Sequence, residues 1–299
     1  MFIRLIIILI FLIPLAFYSC NNSKNSNTDI IDDNDSTLNV GYQDHVQKVK
    51  KIFYNIPSPI EMASLMQRAG AEYDPSILNR IESFEKYNTN SKMALNLGVY
   101  GANLSYTRMF DQIQESVNYL SVIRKLSEGL GIPQQPGTFA VSRIEQNIEN
   151  RDSLLYIITD IYASADTYLK ESNRGSTAAL IILGGWVEAL YIATSIIDYN
   201  DPSKEIMERI AEQKYSLTNL IELLKGYDND EIIALYMPLL EKLNTTFDKI
   251  EIITTKAEII TDSVKKVTSI SNQNKINVAI ENIKELKTIV TELRKELIK

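Results

Sequence analysis

Apolar residues recur at spacings of three and four along most of the chain, which is the period of an amphipathic helix. Val46, Val49 and Phe53 begin the pattern. No segment of the chain shows a convincing alternation of apolar and polar residues, as a half-buried strand would. The pattern therefore predicts an all-α fold, a multi-helix bundle, with a helical core domain over residues 44–226.

The most apolar stretch after the N-terminal segment is Gly175–Ile197. It contains the only tryptophan, Trp186, and a single charged residue, Glu188. Its length is sufficient to cross a bilayer. A glutamate near the middle is expensive in lipid, however, and no aromatic belt or basic flank brackets the segment. We therefore expect a helix buried on all sides at the centre of the bundle, with a membrane span as the alternative.

Two further features of the sequence predict how the bundle packs. Residues 91–130 are expected to form one long bent helix or two collinear ones. Small residues recur four apart in two stripes, and glycine inside a helix is unfavourable unless a second backbone lies against it. The stripes comprise Ala94, Gly98, Ala102 and Gly185, Ala189, Ala193.

The last part of the chain, residues 227–299, keeps strict spacings of three and four. This pattern predicts an antiparallel, coiled-coil-like helical hairpin, formed by helices over 229–270 and 275–298 and packed on the core. Pro238 is expected to kink the first helix. The sequence Glu-Ile-Ile-Thr occurs at 251–254 and again at 258–261. Because Ile, Thr and Val lower helix propensity, a strand is the alternative for 250–261.

The N-terminus carries a targeting signal. Arg4 precedes an apolar run, and together they indicate a lipoprotein-type signal peptide over residues 1–19. Phe17-Tyr18-Ser19-Cys20 resembles a bacterial lipobox, which implies cleavage before Cys20 and acylation of its sulfur. Two or three acyl chains suffice for stable membrane anchoring. Residues 20–43 are rich in Asn, Ser and Asp and are predicted to be a disordered tether behind the lipidated cysteine.

Composition argues against several classes of function. The net charge is −7 and no dense Lys/Arg patch occurs, so nucleic acid is not an expected partner. One histidine and one cysteine supply too few ligands for a zinc site and no Cys–His pair in a structured region. We expect no metal, no cofactor and no enzymatic activity.

Two residues of the central segment, Trp186 and Glu188, are the candidate site. One interpretation makes them the aromatic and polar lining of a ligand pocket. The other makes Glu188 the partner of an arginine from a neighbouring helix, because an unpaired buried carboxylate is costly. The arginines considered are Arg108, Arg124, Arg143, Arg151 and Arg174. Tyrosines considered as further pocket lining are Tyr100, Tyr106, Tyr162, Tyr168 and Tyr191.

Four short stretches resemble a family of helical lipoproteins of Bacteroidota type. They are Ile56-Pro57-Ser58-Pro59, Ala69-Gly70-Ala71, Asn96-Leu97-Gly98-Val99-Tyr100-Gly101 and Gly184-Gly185-Trp186. The resemblance runs from about residue 45 to the C-terminus. It implies a helical fold and an envelope location, and no activity or functional residue is carried over from it.

These observations favour a non-enzymatic cell-envelope lipoprotein that binds a partner or scaffolds an assembly. The expected contact is an envelope protein, or a second copy of the chain, at the 229–298 hairpin. The alternative is a small-molecule-binding lipoprotein with a pocket between helices. Asn21 follows the cysteine where some bacteria use aspartate as an inner-membrane retention signal, so the outer membrane is the expected location. Either face of that membrane is compatible with the sequence.

Overall fold

Most of the described chain is helical, and the predicted helical bundle is confirmed. The α-helices are α1 (Asn90–Met109), α2 (Ile113–Gly129), α3 (Val141–Gln146), α4 (Gly175–Ser195), α5 (Lys204–Lys225), α6 (Glu231–Asp248) and α7 (Ile280–Leu297). Two 3-10 helices, Pro75–Ile77 and Ile81–Lys86, precede α1. The structure is a computed structural model, and it describes residues 70–133, 141–150, 153, 157, 167–254, 258–262, 267–271 and 274–299.

Side chains satisfy the free backbone N–H groups where several helices begin. Thr89 accepts a hydrogen bond from the Lys92 N–H at the start of α1. Asp230 accepts from the N–H groups of Ile232 and Ile233 at the start of α6. Such caps stabilise a helix by about 1 kcal/mol each. They fix the first turns of α1 and α6 from local sequence alone.

The expectation of one bent or two collinear helices over 91–130 is wrong, because α1 and α2 fold back on each other. Asp111 adopts a positive φ of 57°, and the Gln112 N–H donates to the Thr107 carbonyl, which together reverse the chain. Side by side, the two helices bring Met93 at the start of α1 against Gly129 at the end of α2. An aspartate tolerates the left-handed conformation better than most residues, so one position suffices for the turn.

The central helix is α4, as the apolar segment predicts. It packs most extensively against α1 and also contacts α5 and α7. In turn, α6 contacts α5 and α7, so α4, α5, α6 and α7 close a four-helix ring. The outer side of α4 is covered by α1, and α1 is covered by α2. Within the described ranges, α4 alone is long and apolar enough to cross a membrane, and 78% of its most apolar window is buried.

The C-terminal hairpin is only partly helical, so the prediction of helices over 229–270 and 275–298 is wrong in extent. The helices α6 and α7 do pack together in antiparallel fashion, since Lys242 pairs with Glu292 and Lys249 with Glu285. Between them the chain forms strands β1 (Glu251–Thr254), β2 (Glu258–Asp262), β3 (Val267–Ser271) and β4 (Asn274–Asn277). Each Glu-Ile-Ile-Thr repeat is a strand because its stiff, β-branched side chains fit a pleated backbone better than a helix.

The strands form two antiparallel pairs. In one, β1 lies against β4 with Thr254 opposite Asn274, and in the other, β2 lies against β3 with Glu258 opposite Ser271. Three residues join β1 to β2 and two join β3 to β4, so the register changes by one residue between the pairs. We call the four strands β1, β2, β3 and β4 together the strand ribbon. The pair β2–β3 makes no extensive contact with any described helix, whereas β4 contacts α5.

Candidate functional site

The backbones of α1 and α4 touch beside the candidate site. A Cβ atom on Gly184 would overlap the Leu95 carbonyl oxygen, and one on Gly98 would overlap the Ile181 carbonyl oxygen. The small-residue stripes therefore mark a close helix–helix contact, as predicted. This contact draws α1 against the face of α4 that carries the candidate residues.

Trp186 and Glu188 are both fully enclosed, with 1% and 0% of their surfaces exposed. Glu188 Oε2 accepts a hydrogen bond from Arg294 Nε at 2.5 Å, and Oε1 accepts from Arg294 Nη2 at 2.9 Å. Asn103 of α1 donates a further hydrogen bond to Oε1 at 2.6 Å. The bidentate geometry and the amide donor occupy both carboxylate oxygens, so neither oxygen is left without a hydrogen-bond partner in this buried place.

Arg294 is placed by three kinds of contact. Its Nη2 also donates to the Ile77 carbonyl oxygen at 3.1 Å, and its guanidinium carbon lies 4.1 Å from the centre of the Tyr191 ring. Burial by itself lowers the pKa of Arg294, but the hydrogen bond and the charge of Glu188 raise that pKa above its ordinary value. The arginine is therefore charged at neutral pH.

Further polar groups extend this cluster to the loop before α1. The backbone N–H of Asn79 donates to Asn103 at 3.1 Å, its side chain donates to the Tyr87 hydroxyl at 3.0 Å, and its carbonyl accepts from Tyr119 at 3.1 Å. We call Asn79, Asn96, Asn103, Glu188 and Arg294 the Glu188 network. It joins α1, α4, α7 and the residues before α1.

The same network holds the end of α7. Asn96 donates to the Leu297 carbonyl at 3.0 Å, and the Tyr87 hydroxyl donates to the Ile298 carbonyl at 3.3 Å. These two carbonyls have no partner in the helix itself, because the last turn of any helix leaves its carbonyls free. The register of α7 along α4 is thus fixed by polar contacts at several positions.

The interpretation of Glu188 as the partner of an arginine fits this geometry, but the partner is none of the four candidate arginines that the structure describes. Arg124 pairs with Glu145, Arg174 donates to the Leu130 carbonyl, and Arg108 lies 3.9 Å from Asp111. Arg143 lies in α3, and Arg151 is outside the described residues. The partner, Arg294, is 106 positions from Glu188 in the chain.

A signal for Arg294 exists in the sequence. It follows Leu293 directly, so it lies at the border of the apolar stripe of α7 and not on its solvent face. A charged residue at such a border often covers apolar surface with its stem and reaches a buried partner with its head. The sequence does not indicate that Arg294 pairs with α4, because the apolar stripe of α7 predicts only its packing against α6.

Two of the tyrosines proposed as pocket lining, Tyr100 and Tyr106, satisfy backbone groups. The Tyr100 hydroxyl donates to the Arg80 carbonyl at 2.7 Å, and the Tyr106 hydroxyl accepts from the Asp74 N–H at 3.1 Å. Tyr191 lies under Arg294, and Tyr168 is partly buried. Tyr162 is outside the described residues, as is the proposed lipidation site, Cys20.

The chemistry available at Glu188 is that of a structural ion pair. No Ser, Cys or His side chain donates to the carboxylate among the described contacts, and none of the described residues forms a group of three or more potential metal ligands. Trp186 Nε1 has no hydrogen-bond partner among the described residues. The indole contributes apolar packing at the centre of the bundle.

Comparison with known proteins adds no relative. The sequence matches no family model, no curated protein and no solved structure. The resemblance to Bacteroidota-type helical lipoproteins therefore stays a prediction.

Proposed function

We propose that this protein is a lipid-anchored, non-enzymatic protein of the bacterial cell envelope that binds a partner protein through its strand ribbon. Acylation of Cys20 anchors it, with the outer membrane as the expected location, and residues 20–43 tether the bundle. The observation that carries the proposal is the ribbon, whose strand pairs have outer edges unpaired within the described ranges.

The edges of the ribbon supply a means of binding. Each unpaired strand presents a row of free N–H and C=O groups, which can pair with an extended segment of another protein. A two-stranded ribbon is only marginally stable in water, so a third strand from a partner would stabilise it. The apolar faces of α6 and α7 are less suited to this role, because Leu240, Leu243, Leu286 and Val290 are buried inside the bundle.

The Glu188 network supports a structural role for the candidate site. Both carboxylate oxygens already accept hydrogen bonds inside the protein, and Trp186 is enclosed. A ligand at this place would have to displace Arg294 or Asn103. These contacts favour partner binding at the surface over the alternative of a small-molecule pocket at Trp186 and Glu188.

A shortened ribbon tests the proposal. Residues 255–273 are replaced by Asn-Gly, so that Thr254 and Asn274, which lie opposite each other, flank a two-residue hairpin turn. A photo-cross-linking amino acid at Ile253, which is exposed, reports contacts in intact envelopes. We expect a cross-linked product in the full-length protein and its loss in the shortened variant. The same probe at exposed Leu235 of α6 is the matched control.

Products from Leu235 alone, or no product from Ile253 in the full-length protein, would contradict the ribbon as the binding site. Equal cross-linking at Ile253 in both variants would restrict the contact to the pair of β1 and β4, which the shortened variant keeps. A product of twice the chain mass would contradict the proposal of another envelope protein as the partner and identify a second copy instead.

The anchor is tested separately through Cys20. We predict that Cys20→Ala releases the protein from the membrane fraction, because every anchoring signal beyond the cleaved peptide depends on that sulfur. Fractionation in high salt and metabolic labelling with a fatty acid are the measurements. A processed Cys20→Ala protein that stays with the membrane would overturn the lipoprotein proposal.

A further inference from the structure

The two edges of the strand ribbon differ in what lies next to them. One edge is formed by β1 and β2, and the other by β3 and β4. Helix α5 contacts β4, whereas no described helix makes comparably extensive contacts with β1 or β2. The presence of α5 therefore restricts access to β4 more than access to β1. We call the more accessible side the β1–β2 edge.

The two faces of the pair formed by β1 and β4 also differ. Ile252 and Ile276 lie opposite each other, and both pack against the core. Their neighbours Glu251 and Ile253 are exposed, Ile253 to 45%. Successive side chains of a strand point to opposite faces, so Glu251 and Ile253 share the solvent face. An added strand beside β1 would place a residue next to Ile253 and cover its apolar side chain.

Within the strands, acidic residues occur on the β1–β2 edge alone. Glu251 begins β1, and β2 begins with Glu258 and ends with Asp262. By contrast, β3 contains no charged residue, and β4 contains one, Lys275. Three further lysines lie between the strands, outside the described residues, at Lys256, Lys265 and Lys266. The two edges of the ribbon therefore present strands of opposite charge.

This charge distribution specifies which strand would fit beside β2. Opposite charges directly across a strand pair stabilise it, and like charges destabilise it. Residues two positions apart share a face of the strand. Glu258 and Asp262 are four positions apart, with Ile260 midway between them. A complementary strand therefore carries Lys or Arg at two positions four apart, with an apolar residue midway.

We infer that the partner protein contributes an extended segment with the pattern basic-x-apolar-x-basic, and that this segment pairs with the β1–β2 edge. The inference rests on the proposed function and adds to it the edge of the ribbon and the chemistry of the partner. Pairing along both strands agrees with the loss of binding expected when residues 255–273 are removed. The remaining edge, β1, has four residues, whereas a typical strand has about five or six.

Removal of the two charges of β2 tests the inference in the full-length protein in intact envelopes, with the photo-cross-linking amino acid at Ile253. We expect Glu258→Gln with Asp262→Asn to reduce the yield of the cross-linked product about threefold, because two cross-strand ion pairs are lost. Reversal of both residues to Lys should reduce the yield about tenfold, because like charges then face each other. The matched control is Glu222→Gln with Asp228→Asn, which removes the same two kinds of charge from exposed positions in and after α5 and should leave the yield unchanged.

The sequence of the cross-linked partner segment is the second measurement. Mass spectrometry of the product identifies this segment, and we expect Lys or Arg at two positions four apart on either side of an apolar residue. Exchange of those two basic residues for Glu in the partner should restore cross-linking to the variant with Glu258→Lys and Asp262→Lys.

The outcomes separate this inference from the proposed function. Equal yields before and after the changes at Glu258 and Asp262 would overturn the inference and leave the ribbon as the binding site. An equal loss in the control would also overturn it, because the yield would then depend on total charge and not on the β1–β2 edge. A partner segment without the two basic residues would overturn it as well. Absence of any product from Ile253 in the full-length protein would contradict the proposed function itself and, with it, the inference.

Discussion

Glu188 lies in α4, the most apolar helix of the described residues, yet both of its carboxylate oxygens have partners. Removing an ion pair from water is costly, and the attraction between its members offsets this only when their remaining hydrogen bonds are also satisfied. Here Asn103 and the Ile77 carbonyl supply those bonds, and the Tyr191 ring covers the guanidinium. We therefore interpret the pair mainly as a device that selects one register of α7.

Glu188→Gln should destabilise the protein by about 3 kcal/mol, because it leaves Arg294 charged and without its counterion in a buried place. Thermal and urea unfolding measure the effect. Glu292→Gln is the matched control in α7, since its pair with Lys242 is more than half exposed, and it should change stability by less than about 1 kcal/mol. Similar losses in the two variants would show that burial of Glu188 has no special consequence.

The buried tyrosines predict a loss of stability at high pH. Burial raises the pKa of Tyr100 and Tyr119 above the ordinary value, and burial raises the pKa of Tyr199 to about 12. A raised pKa means that the folded state favours the neutral phenol. The stabilisation is therefore complete below pH of about 10, the unfolded pKa, and is lost as pH rises towards the folded pKa.

Ultraviolet titration checks this expectation. The exposed tyrosines should ionise near pH 10, and the buried ones only at higher pH, together with unfolding seen by circular dichroism. Tyr199→Phe should remove one late-titrating group without moving the first step. A single transition of all tyrosines near pH 10 in folded protein would contradict the raised pKa of Tyr100, Tyr119 and Tyr199.

At the scale of helices, the contact between α1 and α4 depends on which glycine faces the other backbone. Gly184 lies against the Leu95 carbonyl oxygen, whereas a Cβ on its neighbour Gly185 would be 3.5 Å from the Gly98 oxygen, an ordinary contact distance. Two adjacent glycines thus have different roles. Sequence spacing indicated that a backbone approaches, but it placed Gly185 and not Gly184 on the stripe.

Gly184→Ala should therefore destabilise the protein by about 3 kcal/mol, since a methyl group there forces α1 and α4 apart. Gly185→Ala should be neutral or stabilising by up to about 1 kcal/mol, because alanine favours the helix and its methyl group fits. Urea unfolding of both variants decides the matter. Equal destabilisation would mean that the two helices do not approach as closely as described.

The elements that were predicted correctly are those with strong local signals. The burial of α4 follows from its composition, and the pairing of α6 with α7 follows from two matching apolar stripes. The strand ribbon fits a helical prediction as well, because Ile250, Ile253, Ala257 and Ile260 are spaced three and four apart. In short apolar runs the two periods overlap, and the β-branched content was the signal that decided for strands.

At the scale of the whole molecule, the helices form successive layers, with α2 outside α1, α1 on α4, and α4 in a ring with α5, α6 and α7. Neither this order nor the Glu188–Arg294 pair was predictable from one sequence, because both depend on contacts between distant segments. The layers also separate the side on which the tether enters the bundle from the side that carries the proposed binding ribbon. The chain enters next to α2, and the ribbon leaves from α6 and α7.

This separation predicts that the outer strands of the ribbon, β2 and β3, are dispensable for folding. In the variant with Asn-Gly in place of residues 255–273, α6 and α7 keep their contacts with each other and with α4 and α5, so the core is unchanged. Shortening a connection also lowers the entropic cost of closing it on folding, by about 0.6 kcal/mol of free energy for each halving of its length. We expect the variant to unfold cooperatively at a temperature equal to or slightly above that of the full-length protein.

Leu286→Asp is the contrasting change, because it puts a charge into the fully buried face of α7 and should abolish cooperative unfolding. Calorimetry of the three proteins measures this, and a clear loss of stability in the shortened variant would mean that β2 and β3 are part of the folded core and not an extension that is available to bind a partner.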